Sequence, residues 1–253
     1  MIKRVCNLLV GLWLAVGVAQ AGPYIEQVQA VVLDTQQRQS AEERLQQRWP
    51  VLEQQPSVVP PFHQRVASVE PAKGTLCGNC HSTVPHRRDQ ARRAFLNGHT
   101  ARMDCMVCHW RPEGEVPNKM LEYRWFSLAD LTVVVADQLP ELSTENRIKI
   151  AVLGDQQPVA VSSRHPFAEQ TEKLWQAEEG RAELHARLHA PLKTEGPACG
   201  DCHQSRAPLL DLKTLGYSEE RRQALAQHPI PRFIDRLQAE QQSRIQLTDL
   251  LRR

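Results

Sequence analysis

The sequence predicts a mainly α-helical fold, in which a small β-hairpin within residues 131–161 is the other regular structure. Three stretches indicate helix because apolar residues recur in them among Gln, Arg and Glu, namely residues 26–49, 169–189 and 218–253. Two runs rich in β-branched residues, 131–136 and 148–153, indicate the hairpin.

The first 21 residues have the pattern of a secretory signal peptide. Lys3 and Arg4 precede an apolar run over residues 8–19, and the small residues Ala19 and Ala21 stand at the spacing of a cleavage site. The run is shorter than the roughly 20 residues of a membrane-spanning helix. We therefore expect cleavage after Ala21, a periplasmic destination and no integral membrane span in the mature chain.

Cleavage would leave a neutral polypeptide. It removes Lys3 and Arg4 and no acidic residue, so the 31 basic residues of the chain fall to 29, against 29 acidic ones. A nucleic-acid-binding protein normally carries a clear basic excess. We therefore expect no nucleic-acid partner.

Prolines and turn residues divide the mature chain. Residues 56–61 form a Pro-rich linker, and residues 154–158 form a turn that brings the second β-branched run back toward residues 159–161. The helical stretches end or break at Pro50, Pro191, Pro229 and Pro231.

Six of the seven cysteines fall into three repeats of one short pattern. Cys6 lies in the expected signal peptide, and every other cysteine belongs to a pair spaced by two residues and followed at once by histidine. The three motifs are Cys77-Gly-Asn-Cys80-His81, Cys105-Met-Val-Cys108-His109 and Cys199-Gly-Asp-Cys202-His203. No cysteine of the mature chain is left over for a disulfide.

Two thiols one helical turn apart, with an imidazole on the next residue, form the pattern that attaches haem covalently. The thiols add to the haem vinyl groups as thioethers, and the histidine binds the iron. We therefore expect three covalently bound haem c groups with little regular structure around them. The proximal iron ligands are then His81, His109 and His203.

Two other kinds of site use cysteine pairs. A zinc site would draw on the four thiols of the first two motifs, Cys77, Cys80, Cys105 and Cys108, and a dithiol oxidoreductase would use one pair. Neither needs a histidine directly after every pair, so haem is the better interpretation.

The second ligand of each iron decides whether a haem carries electrons or binds a substrate. Seven further histidines are available, enough for three bis-histidine haems: His63, His86, His99, His165, His185, His189 and His228. One of these histidines precedes each motif by a short distance: His63 precedes the first motif, His99 the second and His189 the third. His86 follows the first motif closely and is a fourth candidate, while His185 lies one helical turn from His189.

In these motifs the chain resembles multihaem c-type cytochromes. The stretch 60–109, with a Pro-rich passage and a histidine before the first motif, is similar to the dihaem small subunit of periplasmic nitrate reductase. That resemblance implies that the upstream histidines His63 and His99 are distal iron ligands. The spacing of His81 and His86 is similar to the paired histidines of cytochrome c3-like and c7-like proteins, which makes His86 a rival candidate.

The spacing of the motifs suggests how the chain is organised. The expected parts are the signal peptide (1–21), a helical N-terminal segment with its linker (22–58), a dihaem core (59–119), a connecting segment (120–190) and a third haem motif with a helical tail (191–253). Twenty-four residues separate Cys80 from Cys105, whereas ninety separate Cys108 from Cys199. We therefore expect the first two haems in near contact, and the folding of the chain decides the place of the third.

These features predict a trihaem electron carrier. Its expected partners are a redox protein donor and acceptor, with a membrane-associated oxidoreductase or an outer-membrane conduit among them. Haem propionates would make the loaded protein acidic, which favours basic partners. The alternatives are a multihaem reductase of a small nitrogen or sulfur oxyanion, with one open-coordinate haem, and an assembly subunit that docks through its amphipathic ends.

Overall fold

The computed structural model describes residues 22–47, 74–82, 84–86, 92–112, 121–128, 130–135, 148–177, 179–206 and 208–240. The predicted signal peptide, the Pro-rich linker and the candidate ligand His63 lie outside these ranges. No helix within them is both long and apolar enough to cross a membrane.

The N-terminal helical stretch is two helices, α1 (Pro23–Ala30) and α2 (Thr35–Gln46). Helix α1 starts at a proline and turns one apolar face to the core, with Tyr24, Ile25 and Val28 buried. Helix α2 begins with a capping box, because the Asp34 carboxylate accepts the Gln37 N–H at 2.7 Å and the Gln37 side chain accepts the Asp34 N–H at 3.0 Å. Only one residue of α2, Ala41, is buried.

Four short strands form one antiparallel sheet, in the order β2-β1-β3-β4. The strands are β1 (Glu122–Ser127), β2 (Thr132–Val134), β3 (Ile148–Gly154) and β4 (Gln157–Pro158). The predicted hairpin is present as β3 and β4, and its turn holds Asp155 and Gln156 at positive φ, 49° and 63°.

The sheet is larger than the sequence predicts, so the fold is mixed α/β rather than mainly helical with one hairpin. The additional strand is β1, which pairs with β3 from Glu122 opposite Leu153 to Ser127 opposite Ile148. Both β-branched runs are strands, but they do not pair with each other, because β1 lies between them.

The remaining helices of the described residues are short, and they are counted within those ranges alone. Three of them lie before β1, α3 (Leu76–Cys80), α4 (Arg93–Thr100) and α5 (Cys105–His109). Five follow the sheet, α6 (Pro166–Gln176), α7 (Arg181–His189), α8 (Cys199–Cys202), α9 (Glu219–Gln227) and α10 (Pro229–Glu240). The predicted helix over 169–189 is therefore divided, at a turn where Gly180 has a φ of +81°. The helical tail breaks before Pro229, as predicted, but the break predicted at Pro231 is wrong, because Pro231 lies in the first turn of α10, where a helix tolerates proline.

Backbone hydrogen bonds tie the three motifs to this framework. The Leu76 N–H, at the start of α3, donates to the Val161 carbonyl just beyond β4 at 2.8 Å. Ahead of α5, the Asp104 N–H donates to the carbonyl of Ile150 in β3, also at 2.8 Å. After α5, Trp110 forms an isolated bridge with Leu192, on the segment that leads to α8. Backbone hydrogen bonds thus connect the first two motifs to the hairpin and the residues that directly follow it. The bridge after the second motif connects it to the chain segment that leads to the third.

One hydrophobic cluster joins all these parts. It runs from Tyr24 in α1 through Trp110, beside α5, to Leu215 ahead of α9. The largest side chains that are fully buried are Trp110, Phe126, Met106, Ile150, Leu210 and Leu215. Tyr24 fastens the N-terminal helix to α7 by donating its hydroxyl to the Leu188 carbonyl at 2.7 Å.

Candidate functional site

Each motif forms a single short helical turn. In α3 the His81 N–H donates to the Cys77 carbonyl at 2.9 Å, and at α8 the His203 N–H donates to the Cys199 carbonyl at 3.0 Å. The turn brings both thiols and the imidazole of one motif together over five residues, as the sequence predicts.

Two carboxylates fix the starts of these turns. Asp104 accepts the Met106 N–H at 3.0 Å at the head of α5. At the head of α8, Asp235 from α10 accepts the N–H groups of Cys199 and Gly200, at 3.2 and 2.9 Å. The aspartate directly before a cysteine was a local sequence signal for a cap, whereas nothing near Asp235 in the sequence connects it to the third motif.

Every motif histidine faces one histidine from outside the motifs. The ring centres of the three pairs are 6.0 Å apart for His81 and His189, and 6.1 Å apart both for His86 with His109 and for His99 with His203. Three of the four predicted distal candidates are therefore placed opposite a motif histidine, and the fourth, His63, lies outside the described residues.

The pairing does not follow the order of the sequence. His99 stands just upstream of the second motif but faces the histidine of the third, His203. His189 stands upstream of the third motif but faces the histidine of the first, His81. The second motif takes His86, which follows the first. Each pair thus joins segments that belong to different motifs.

The separation of the rings matches that of two imidazoles on opposite sides of one metal ion. Imidazole nitrogen binds a first-row metal at about 2.0 Å, and with about 1.2 Å from ring centre to nitrogen, two such ligands have centres roughly 6 Å apart. Rings in direct contact lie closer, as do His185 and His189, whose centres are 4.1 Å apart. Each of the three pairs thus has a ring separation like that of two imidazoles which bind one metal ion from opposite sides.

Hydrogen bonds fix which ring nitrogen is free in four of the six histidines. The Nδ1 atoms of His109 and His203 lie 2.8 and 3.0 Å from the carbonyl oxygens of Lys193 and Leu225. Those of His99 and His189 lie 2.8 and 2.7 Å from the carbonyl oxygens four residues earlier. A carbonyl only accepts, so Nδ1 carries the proton and the lone pair of Nε2 is left for a metal.

Asn97 positions His86, the histidine that faces the second motif. Its amide oxygen lies 3.2 Å from the Nδ1 atom of His86 and accepts the His86 backbone N–H at 3.0 Å. Its amide nitrogen donates to the His86 carbonyl at 3.0 Å. The segment after the first motif is thereby held against α4, the helix that also carries His99.

Burial favours the neutral form of three of the paired imidazoles. It is the main cause that lowers the pKa of His81, His86 and His189 below the ordinary value of 6.5, and neighbouring histidines add to it for all three. Neutral imidazole is the form that binds a metal ion. The neutral form of His81, His86 and His189 is therefore favoured at neutral pH.

The other described histidines have ordinary roles. His165 and His228 accept the N–H groups of Phe167 and Ile230, at 3.1 and 3.3 Å, at the starts of α6 and α10. His185 stacks on His189, on α7. The two rings lie one helical turn apart as expected, with their centres 4.1 Å from each other, and of the two it is His189 whose ring lies 6.0 Å from that of a motif histidine, His81.

The six motif cysteines are free thiols. Burial is the main cause that raises the pKa of four of them, Cys80, Cys108, Cys199 and Cys202, the last to about 12. Thiols of this kind stay protonated at neutral pH, unlike the reactive thiolates of dithiol oxidoreductases. Among the described residues, no three His, Cys, Asp or Glu side chains are grouped as a metal cage.

The second motif lies between the other two. A hydrogen bond to Cys105 is the largest cause that raises the pKa of Cys77, so these thiols of the first and second motifs are in contact. On the other side, a Cβ atom added to Gly196 would lie 3.3 Å from that of Cys108, which puts the chain entering the third motif against the second. The near contact of the first two haems, which the sequence analysis expects, stays a prediction, and the place of the third motif is decided by the fold.

Asp104 makes the stability of this region depend on pH. Burial raises its pKa above the ordinary value of 3.8, although the Met106 N–H and Lys149 act against it. The folded chain then holds the proton more tightly than the unfolded chain. Protonated Asp104 therefore stabilises the folded chain. This stabilisation is fully present below pH 3.8 and is lost as the pH rises through the raised pKa of Asp104.

The variant Asp104→Asn keeps a hydrogen-bond acceptor for the helix cap but cannot ionise. We therefore expect it to abolish the loss of stability that accompanies the ionisation of Asp104 as the pH rises. The measurement is the free energy of unfolding between about pH 4 and pH 7. The control is Asp211→Asn, because hydrogen bonds from Thr214 lower the pKa of Asp211 and its stabilisation is lost in the opposite direction, as the pH falls. An Asp104→Asn protein with the pH profile of the unsubstituted chain would contradict the prediction.

Comparison with known proteins gives no relative: no protein-family model, no curated protein and no solved structure matches this chain.

Proposed function

We propose that this chain is an exported trihaem c-type cytochrome that carries electrons between redox proteins. The observation that carries the proposal is the pairing of every motif histidine with a second histidine at 6.0 to 6.1 Å. Three Cys-x-x-Cys-His motifs account for covalent attachment, and three facing imidazoles account for the other side of each iron.

The residues of the chain have distinct tasks in this proposal. The cysteines attach the haems, the six paired histidines bind iron through Nε2, and carbonyl oxygens orient four of the rings through Nδ1. Haem supplies one-electron oxidation and reduction when it is bound.

Two strong protein ligands on each iron favour electron transfer over catalysis. A reductase of a nitrogen or sulfur oxyanion needs a position on one iron where the substrate can bind. All three motif histidines have a facing imidazole, so the carrier is the better supported of the two functions.

The order of the motifs suits a carrier with separate entry and exit. The second motif touches the first through Cys77 and Cys105, and the third through Gly196 and Cys108. A donor that docks at the first motif and an acceptor that docks at the third would therefore be joined through the second.

The compartment and partners follow from the sequence. The signal-peptide pattern of residues 1–21 places the mature chain in the periplasm. Its neutral polypeptide becomes acidic with six propionates, which favours basic docking faces on a soluble donor or acceptor, a membrane-associated oxidoreductase or an outer-membrane conduit.

The test is intact mass together with low-temperature electron paramagnetic resonance of the matured, oxidised protein. We expect the mass of three added haems, only low-spin iron, and no spectral change with cyanide or nitrite. The matched control is Cys199→Ala/Cys202→Ala, which should carry two haems. A chain without added haem would overturn the proposal, and high-spin iron that binds nitrite would favour the reductase.

A further inference from the structure

The three histidine pairs differ in the angle between their rings. The planes of His86 and His109 are only 18° apart, so these two rings are nearly parallel. The rings of the other two pairs are close to perpendicular: the angle is 73° in the pair of the first motif and 74° in the pair of the third. Because the ring centres are 6.0 to 6.1 Å apart in all three pairs, the angle is what distinguishes the second motif from the other two.

Hydrogen bonds hold both rings of the parallel pair. The Nδ1 atom of His109 donates to the Lys193 carbonyl at 2.8 Å, and the Nδ1 atom of His86 lies 3.2 Å from the amide oxygen of Asn97. The amide nitrogen of Asn97 donates to the His86 carbonyl at 3.0 Å, which fixes the end of the amide that faces Nδ1 as the oxygen. Neither ring of this pair can turn without breaking a hydrogen bond.

Hydrogen bonds also hold the perpendicular pairs. In the pair of the third motif, the Nδ1 atoms of His99 and His203 donate to main-chain carbonyl oxygens at 2.8 and 3.0 Å. In the pair of the first motif, His189 donates to a main-chain carbonyl at 2.7 Å, and the ring of His185 stacks on it with centres 4.1 Å apart. The angles are therefore set by the fold.

The angle between two imidazoles on one iron decides how they act on its d orbitals. A protein tunes a haem through its axial ligands, and an imidazole raises the d orbital whose lobes lie above and below the ring plane. Parallel rings both raise the same orbital, whereas perpendicular rings raise one orbital each and leave the two nearly equal in energy. Low-spin ferric iron lacks one electron in these orbitals, so raising a single orbital stabilises the ferric state. Parallel rings therefore make a haem harder to reduce.

We propose that the protein distinguishes its second haem from the other two by the parallel planes of His86 and His109, and that Asn97 is the positioning residue that holds the plane of His86. This inference rests on the proposed function, because that function brings iron between the rings. The second haem is then the last of the three to be reduced. Since the second motif lies between the other two, the first electrons taken up reside on the two outer haems.

The first experiment is low-temperature electron paramagnetic resonance of the matured, oxidised protein. We expect two strongly anisotropic low-spin signals, because nearly equal d orbitals leave the orbital momentum of the unpaired electron unquenched, and one ordinary rhombic signal. In Cys199→Ala/Cys202→Ala one of the strongly anisotropic signals should be missing. When the potential of the three-haem protein is lowered stepwise, the rhombic signal should disappear last.

The second experiment tests Asn97 by two substitutions with opposite expected effects. Asn97→Ala frees the His86 ring to turn, so the rhombic signal should become more anisotropic. The ratio of reduced to oxidised second haem at a fixed potential should rise about threefold to tenfold, the effect of one neutral hydrogen bond. Asn97→Asp keeps an acceptor for Nδ1 and makes it anionic, so it should retain the rhombic signal and lower that ratio. A merely structural role for Asn97 would not produce opposite changes.

The matched control is Gln27→Ala. The Gln27 amide oxygen also fixes a buried ring, because it accepts the indole N–H of Trp110 at 2.7 Å, but that ring binds no iron. We expect Gln27→Ala to lower the free energy of unfolding and to leave all three signals unchanged.

The outcomes separate this inference from the proposed function. Three low-spin signals of one kind, or a rhombic signal that disappears first, would overturn the distinction between the haems. A rhombic signal and a ratio that are unchanged in Asn97→Ala would overturn the role of Asn97. Each of these results leaves a three-haem, low-spin cytochrome intact, whereas a wild-type chain without haem, or with high-spin iron, overturns the proposed function first.

Discussion

Replacing His99 by alanine is expected to open the iron of the haem attached at Cys199 and Cys202, and not that of the nearer motif at Cys105 and Cys108. The reason is that the His99 ring faces His203 at 6.1 Å, while the histidine of the second motif faces His86. The measurement is electron paramagnetic resonance of the matured His99→Ala protein. One of three low-spin signals should be replaced by a high-spin signal that responds to cyanide.

Repeating the His99→Ala substitution in a variant that cannot attach the third haem identifies which haem has changed. In Cys199→Ala/Cys202→Ala the third haem is missing, so adding His99→Ala should leave both remaining haems low-spin. The controls for a general loss of histidine are His165→Ala and His228→Ala, because these rings cap helices and face no motif histidine. High-spin iron in the two-haem background would mean that His99 serves the second motif after all.

Replacing Trp110 by alanine is expected to lower the free energy of unfolding by about 3–5 kcal/mol, the largest effect on stability that we predict. The side chain is 2% exposed, and its indole donates to Gln27 at 2.7 Å. It packs against Gly154 so closely that a Cβ atom there would lie 3.0 Å from the ring. Truncation would leave a cavity at the point where α1, α5 and the hairpin meet.

Chemical denaturation of the matured protein measures this loss. The matched control is Trp175→Ala on α6, a partly exposed tryptophan with the Arg181 guanidinium 5.8 Å from its ring centre. We expect that change to cost about 1 kcal/mol or less. Equal losses for the two substitutions would contradict the central role assigned to Trp110.

Strand β1 was missed although its sequence contains a signal. Glu122 and Arg124 alternate with Tyr123 and Trp125, which is the period of a strand with one buried face. The alternation is only four residues long, and buried Phe126 follows Trp125 directly. The β-branched runs were recognised because their residue types indicate strands without regard to their neighbours.

The chemistry that we propose for the site comes from the sequence alone. Two cysteines and a histidine within five residues need only one helical turn to act together, so the motifs and their expected haems follow from local spacing. The end of α7 ahead of Pro191, the break before Pro229 and the turn between β3 and β4 also follow from local signals.

Only the tertiary structure decided which histidine faces which motif. His189 reaches His81, and His99 reaches His203, across segments that lie far apart in the chain. Those meetings depend on the hairpin that holds the first two motifs and on the bridge from Trp110 to Leu192. A contact of this kind is set by the packing of one shared core, and no spacing in the sequence records it.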